Sequence, residues 1–265
     1  MELDGKHVVV TGGGSGIGRA MAARFATVAA GVVVVDRDGA AARKVADEVG
    51  GVAIAADVSR EREILRVIAE AERVYGPIDL FCSNAGQAQP LGALDAADEG
   101  WLTQWNVHVM AHVWAARALV PAMVRRGGGH LLSTVSAVGL LMVPGAVPYT
   151  VTKHAALALA ESLAVLYRGS GVGFSCLCPA FVDTPLTAGV HDTPVGRFLR
   201  LNGESIEPAA VADIVVEGLR EERFLIFTHP ETESAMRLRA TDHERFLDFT
   251  ADVWAAANTA ERPAG

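Results

Sequence analysis

Apolar positions along the chain follow two alternating rhythms. Short apolar runs recur at 6–11, 32–36, 52–55, 78–83, 130–136, 173–178 and 224–227, most of them bounded by Gly, Pro, Asp or Ser. Runs of that length read as strands buried on both faces. Between them, apolar residues return every three or four positions over 16–29, 39–49, 61–75, 101–125, 149–168 and 208–220. That is the period of a helix with one buried face. Strand alternating with helix predicts an α/β architecture: a doubly wound, seven-stranded parallel sheet with helices on both faces. Connections such as 75–77 and 126–129 have the length of turns, and no linker or repeat divides the chain, so 1–265 is expected to be a single domain. The stretch 187–204 shows no clear period and predicts a flexible lid at about 186–204. A last helical pattern predicts a C-terminal extension at about 231–258, fraying at 262–265.

The junction of the first strand and first helix carries chemistry. Gly12-Gly13-Gly14-Ser15-Gly16-Ile17-Gly18 lies there. Gly12 permits a tight turn, Gly16 lets the backbone approach a pyrophosphate, and Gly18 lets the helix settle on the sheet. The amides opening the helix then face the phosphates. Strand, glycine-rich turn and helix together mark a dinucleotide site in a Rossmann fold. The second strand ends in Asp36, where a carboxylate accepts from an adenosine 2′-hydroxyl and repels a 2′-phosphate. Arg37 beside it suits a phosphate. Asp36 holds the strand end and Ser15 is not basic, so NAD is expected over NADP.

Tyr149 and Lys153 stand four residues apart, on one face of a predicted helix. A free tyrosine titrates near ~10. A positive charge ~4 Å away, at an effective dielectric of ~20, is worth about 4 kcal/mol, or roughly three pK units. That pairing predicts a phenol able to exchange protons near neutral pH, as a general acid or base.

Composition removes alternatives. A length of 265 residues with 51% hydrophobic content supplies one large core. The net charge of −8, with no basic run, argues against nucleic-acid binding. Three cysteines make no disulfide framework and suggest a reducing compartment; Cys82, Cys176 and Cys178 read as core thiols. The start of the chain does not resemble a signal peptide. The apolar stretch 131–148 holds Ser133, Thr134, Ser136 and two prolines, which argues against a membrane span. A soluble, cytoplasmic protein is expected. His108 and His112 sit at i, i+4, but no carboxylate or cysteine completes a metal site, and none is expected.

TGGGSGIG at 11–18, Asp57-Val58 after the third strand, Ser83-Asn84-Ala85-Gly86 after the fourth, and Ser136 thirteen positions before Tyr149 complete a pattern with Lys153. In order and spacing it resembles the classical short-chain dehydrogenase/reductase family over about residues 2–230. The resemblance implies an NAD-dependent oxidoreductase that interconverts a secondary alcohol and a ketone. In that reading Tyr149 is the acid/base, and Lys153 lowers its pKa and holds the nicotinamide ribose. Ser136 polarises the substrate oxygen. Asp57 and Val58 contact adenine, Asn84, Ala85 and Gly86 line the cofactor, and Val182 and Thr184 hold the carboxamide. Two positions depart from the family pattern. His108 replaces the usual asparagine of the proton relay, keeping its carbonyl and adding a titratable ring. Ala180 replaces the glycine that usually follows Pro179.

The apolar segments 138–143 and 87–91 would border a fairly hydrophobic alcohol or ketone. Arg197 and Arg200 in the lid read as solvated. Trp105, Val109 and Val113, with Leu157, Leu159 and Leu163, exceed what one sheet face buries and predict subunit contacts, in a homotetramer or dimer. Two rivals remain on the sequence: an NAD-binding scaffold or redox sensor with weak catalysis, and a dehydratase or epimerase on the same fold.

Overall fold

The computed structural model describes residues 1–89 and 91–259. Seven strands form one sheet: β1 (His7–Thr11), β2 (Gly31–Asp36), β3 (Val52–Ala55), β4 (Leu80–Ser83), β5 (Gly129–Thr134), β6 (Val172–Cys178) and β7 (Leu225–Phe227). Their order is 3-2-1-4-5-6-7 and every neighbouring pair is parallel. This is the expected single-domain, doubly wound Rossmann sheet. Burial follows the strand period of two. Val8 and Val10 of β1 face a core with α1 (Gly16–Ala26), α2 (Gly39–Val49) and α9 (Pro208–Arg220). Val9 faces the opposite core with α3 (Glu61–Tyr75) and α5 (Ala111–Arg126). The strand order reverses between β1 and β4, which opens a crevice at their carboxyl ends.

Helix boundaries explain most departures from the sequence reading. α6 runs Val147–Leu166 and takes Pro148 into its first turn, where a missing N–H costs nothing. The expected helix at 101–125 is α4 (Asp98–Trp105), a π-helical turn at Asn106–Met110, and α5. The continuous stretch Asp98–Arg126 is long and apolar enough to cross a membrane by composition, and half of its most apolar window is buried within the fold. The segment expected to be an aperiodic lid contains two short helices, α7 (Pro185–Ala188) and α8 (Pro194–Leu201). Thr184 and Thr193 cap them, and two such short pieces show no lasting period. The C-terminal pattern divides into α10 (Pro230–Thr241) and α11 (His243–Thr259). The expected fraying at 262–265 and Pro90 of the 87–91 segment lie outside the described residues.

Two residues expected at subunit contacts, Val109 and Leu157, are instead buried within their own chain. The exposed large apolar residues on these helices include Leu102, Trp105, Val124, Val151, Val165 and Leu166. All three cysteines are free and buried. Burial pushes their thiols up, Cys178 to about 12.

Candidate active site

A chain of hydrogen bonds fastens the strand ends at the crevice. Thr11 Oγ1, closing β1, donates to the Cys82 carbonyl at 3.0 Å and accepts from the amides of Asn84 at 2.9 Å and Ala85 at 3.1 Å. The Asn84 side chain donates to the Thr11 carbonyl at 2.9 Å and accepts from Thr134 Oγ1 at 3.0 Å. The Thr134 carbonyl in turn accepts from Lys153 Nζ at 2.8 Å. The ends of β1, β4 and β5 and the helix α6 are thereby one connected unit.

Tyr149 lies one turn before Lys153 on α6, and the ammonium nitrogen is 5.5 Å from the centre of the phenol ring. Ser136 is buried just past the end of β5, and its hydroxyl lies close enough to Tyr149 to hold the phenol's pKa down in part. Its backbone sits at φ 65°, ψ 156°, a region that glycine alone populates freely. Ser136 Oγ donates to the Pro179 carbonyl at 3.2 Å and accepts from the Val138 amide at 3.3 Å, which holds the residue there. All three predicted catalytic side chains are therefore neighbours.

Their electrostatics differ from the sequence expectation. Burial raises the Tyr149 pKa above its usual 10, and the hydrogen bond from Ser136 only partly opposes this. Burial also lowers Lys153 to about 7, so much of its population carries no charge at neutral pH. The expected three-unit depression of the phenol assumed a full charge close to the oxygen. The ammonium is instead spent on Thr134 and is itself partly discharged.

His108, in the π-helical turn, is fully buried. Its Nε2 accepts from the Gln87 amide at 3.1 Å, which leaves the ring proton on Nδ1, shared with Thr152 Oγ1 at 2.9 Å. The ring also meets Tyr149 edge-on, 5.3 Å between centroids at 85°. Burial first, then Lys153 and His112, lowers its pKa well below 6.5. The ring is neutral with both nitrogens committed; it does not titrate near neutrality.

On the other side of the crevice, the glycine turn is shaped by contact. A Cβ on Gly12 would lie 2.8 Å from Ala85 Cα, and one on Gly18 only 2.1 Å from the Gly12 carbonyl oxygen. A Cβ on Gly16 would meet Thr184 Cγ2 at 3.2 Å, so the turn and the segment after β6 face each other across the cleft. Ser15 is exposed at the start of α1 and makes no capping bond with its side chain. Asp36 accepts from the amides of Gly14 and Asp38, both at 3.0 Å, one on each carboxylate oxygen.

Residues 6–194 match the short chain dehydrogenase family. The chain is 37% identical over 262 residues to a 1-deoxy-11-beta-hydroxypentalenate dehydrogenase of Streptomyces exfoliatus, covering 96% of this chain and 90% of that one. The chain belongs to the short-chain dehydrogenase/reductase family. As a member it is an oxidoreductase acting on CH–OH groups. Its similarity extends to 17-beta-hydroxysteroid dehydrogenase 13 of Mus musculus, 32% identical over 85% of this chain and 74% of the other. A short chain dehydrogenase/reductase from Burkholderia phymatum, solved in complex with NAD, superposes with a TM-score of 0.84 at 31% identity. That match covers 92% of this chain and 96% of the solved one.

The dehydrogenase's remaining predicted residues lie after the carboxyl ends of β1, β2, β3, β4 and β6. Gly86 is exposed, and a Cβ there would lie 3.6 Å from His108 Nε2 and 3.7 Å from Lys153 Nζ. Arg37 is exposed beside Asp36, and Ile17 packs on the core under the turn. Asp57 Oδ1 accepts from the Ser59 amide and hydroxyl, while Oδ2 pairs with Arg60 at 3.2 Å. Burial opposes its ionisation, and the Ser59 bonds and Arg60 overcome that to lower its pKa. Val58 and Val182 are buried, and the Val182 carbonyl accepts from Thr187 Oγ1.

Sequence reasoning missed several residues of this short-chain dehydrogenase. Thr11 and Thr134 fasten the cleft, and Thr11 lay inside the quoted motif without a role. Arg197 is not solvated as expected: its Nε donates to the Ala257 carbonyl at 2.7 Å. Arg200 is exposed, as expected, and donates to the His191 carbonyl at 3.0 Å. His154 hydrogen-bonds the Thr150 carbonyl at 2.9 Å and Arg239 at 2.9 Å. The bonds of Arg197 to Ala257 and of His154 to Arg239 join elements distant in sequence, which no local pattern marks.

Proposed function

We propose that this protein transfers a hydride between NAD(H) and a neutral, fairly hydrophobic secondary alcohol or ketone. The observation that carries the reading is the convergence of Ser136, Tyr149 and Lys153 on one crevice whose opposite wall is the glycine turn. The residues present suit NAD. Glycines 12 and 18 leave no room for side chains where a dinucleotide backbone would lie, and Asp36 is held by two amides at the end of β2. Its carboxylate would accept from the adenosine ribose hydroxyls and repel a 2′-phosphate. Bound nicotinamide supplies the hydride or accepts it. Gly12, Ser15, Gly16 and Ile17 would hold the pyrophosphate. Asp57, Val58 and the run Asn84 to Gly86 would flank the adenosine and ribose, with Val182 and Thr184 at the carboxamide.

Tyr149 moves the proton. Its phenol, kept neutral by burial, donates to the carbonyl oxygen as the substrate carbon is reduced. In oxidation the phenol must first lose its own proton by way of Lys153, and its oxygen then takes the proton of the alcohol. Ser136 hydrogen-bonds the substrate oxygen and stabilises the charge that develops there. Lys153, beside the phenol and bonded to Thr134, would pass the proton onward and hold the ribose.

The segment 186–204 acts as a lid in this reading, and 231–258 extends the single domain over the substrate side. The exposed Trp105, Leu102 and Val151 support assembly into dimers or tetramers, and the protein works in the cytoplasm. Tyr149→Phe should lower kcat at least 100-fold while NADH still binds, as read by fluorescence titration. Unchanged turnover of a good substrate would refute the role of Tyr149. Asp36→Ala should erase a preference for NAD over NADP; equal affinity of the unmutated protein for both would remove the claim.

A further inference from the structure

One side chain of the C-terminal extension bridges the two segments that carry the active site. Arg239 lies in the last turn of α10, and its Nη1 donates to the Leu140 carbonyl and, at 2.9 Å, to His154 Nε2. Leu140 closes the short helical turn at Ala137–Gly139 that begins at Ser136, and His154 directly follows Lys153 on α6. A single nitrogen therefore joins the Ser136 turn to the helix of Tyr149 and Lys153. The two segments already press together: a Cβ on Gly139 would lie 2.9 Å from the Lys153 carbonyl oxygen. Behind the guanidinium stands the buried Phe246 ring of α11, 5.8 Å away. Farther along α11, Val253 and Trp254 pack in one apolar cluster with Tyr149, as does Phe198 of α8.

The bond to His154 exists in one protonation state only. Nδ1 is committed as a donor to the Thr150 carbonyl at 2.9 Å, so Nε2 accepts from Arg239 while the ring is neutral. A second proton would occupy that lone pair and set two cations face to face. Arg239 is the charge that meets the ring from α10. On α6, Lys153 turns to the Thr134 carbonyl, and in α11 His243 bonds the Arg239 carbonyl through Nδ1 at 3.3 Å. The strip Leu140-Leu141-Met142-Val143 brings no charged side chain. Burial lowers the His154 pKa below 6.5, opposed by the Thr150 carbonyl and reinforced by Arg239.

We propose that Arg239 is a positioning residue: from the C-terminal extension it clamps the Ser136 turn to the Tyr149–Lys153 helix and holds α10 and α11 beside them. Protonating His154 opens the clamp, so the hold weakens as pH falls below 6.5. The clamp stands on these contacts alone, and only its consequence for catalysis rests on the alcohol–ketone reading above. An open clamp lets Ser136 drift from Tyr149, and misplaced reacting groups lose rate.

The test is hydrogen exchange read by mass spectrometry on the nicotinamide-free protein at pH 7.5 and 5.0, each rate corrected for intrinsic exchange. Two segments report: 137–141, whose amides are bonded within the turn, and 231–241 of α10. Wild type is compared with His154→Gln, whose amide oxygen still accepts from Arg239, and with Arg239→Met; thermal melting confirms folding. On going to pH 5.0 wild type should lose roughly fivefold to tenfold more protection at both segments than His154→Gln, the worth of one charge-assisted hydrogen bond. Every other titrating group is common to the two and cancels. At pH 7.5 Arg239→Met should be about tenfold less protected than wild type, and its loss at pH 5.0 should match that of His154→Gln. Should Arg239→Met not fold, wild type against His154→Gln decides alone. A wild-type loss within twofold of the His154→Gln loss overturns the proposal, as does Arg239→Met protected within twofold of wild type at pH 7.5. Because exchange is read without turnover, full activity in Tyr149→Phe would refute the proton role alone and leave the clamp standing.

Discussion

Lys153→Met should make the protein's stability respond differently to pH, and the size follows from burial. Lys153 is 2% exposed and its pKa falls from 10.5 to about 7. The unfolded chain therefore binds a proton at Lys153 that the folded chain gives up between about pH 7 and 10.5. Where the unfolded state binds more protons, stability rises with pH. At pH 8 the unfolded lysine is fully protonated and the folded one about one-tenth protonated, so the slope is about 1.2 kcal/mol per pH unit. Buried thiols oppose this above their ordinary range, because the folded state keeps their protons. That background is common to both proteins and cancels in the comparison. Urea denaturation at pH 7.5, 8.0 and 8.5, without nicotinamide, should show wild type gaining about 1.2 kcal/mol per unit over Lys153→Met. The methionine variant should also be the more stable of the two at pH 7. Parallel slopes, within about 0.3 kcal/mol per unit, would refute the reasoning that burial discharges this lysine.

Other consequences can be checked alongside. Ser136→Gly should relieve a backbone that costs about 1–3 kcal/mol, raising stability over Ser136→Ala in denaturant while both variants lose about 100-fold in kcat. His112, buried and lowered to about 3, stays neutral in the folded chain while the unfolded chain takes up a proton below about 6.5. Stability should therefore fall as pH drops through 6 toward 4, and His112→Asn should flatten that limb by about 1.3 kcal/mol per unit in urea melts.

The periodic parts of the chain were legible before any coordinates. Strands buried on both faces are continuous apolar runs, and helices with one wet face repeat every three to four residues, so the order of elements along the chain and the doubly wound parallel class could be read directly. The order of strands within the sheet came from the structure. The candidate set Ser136, Tyr149 and Lys153 was legible because its order and spacing resemble those of the short-chain dehydrogenase/reductase family. What escaped was of two kinds. The short helices after β6 are held by single threonine caps, too local to leave a period. Electrostatic state also escaped: spacing places Lys153 beside Tyr149, but only the packing around them shows that burial moves both pKa values toward the neutral forms. His108 shows the same limit. Its titratable ring was visible in the sequence, while the Gln87 and Thr152 partners that fix it neutral lie on other elements.

The line of bonds from Thr11 through Asn84 and Thr134 to Lys153 divides the molecule by tolerance to change. Everything on that line shares side chains or carbonyls, so altering one member disturbs several strands together. The covering helices near Tyr149 touch the frame mainly through main-chain oxygens and greasy surfaces, which many sequences can provide. An engineer wishing to redirect this enzyme would therefore rewrite α8 and α11 and leave the strand ends alone.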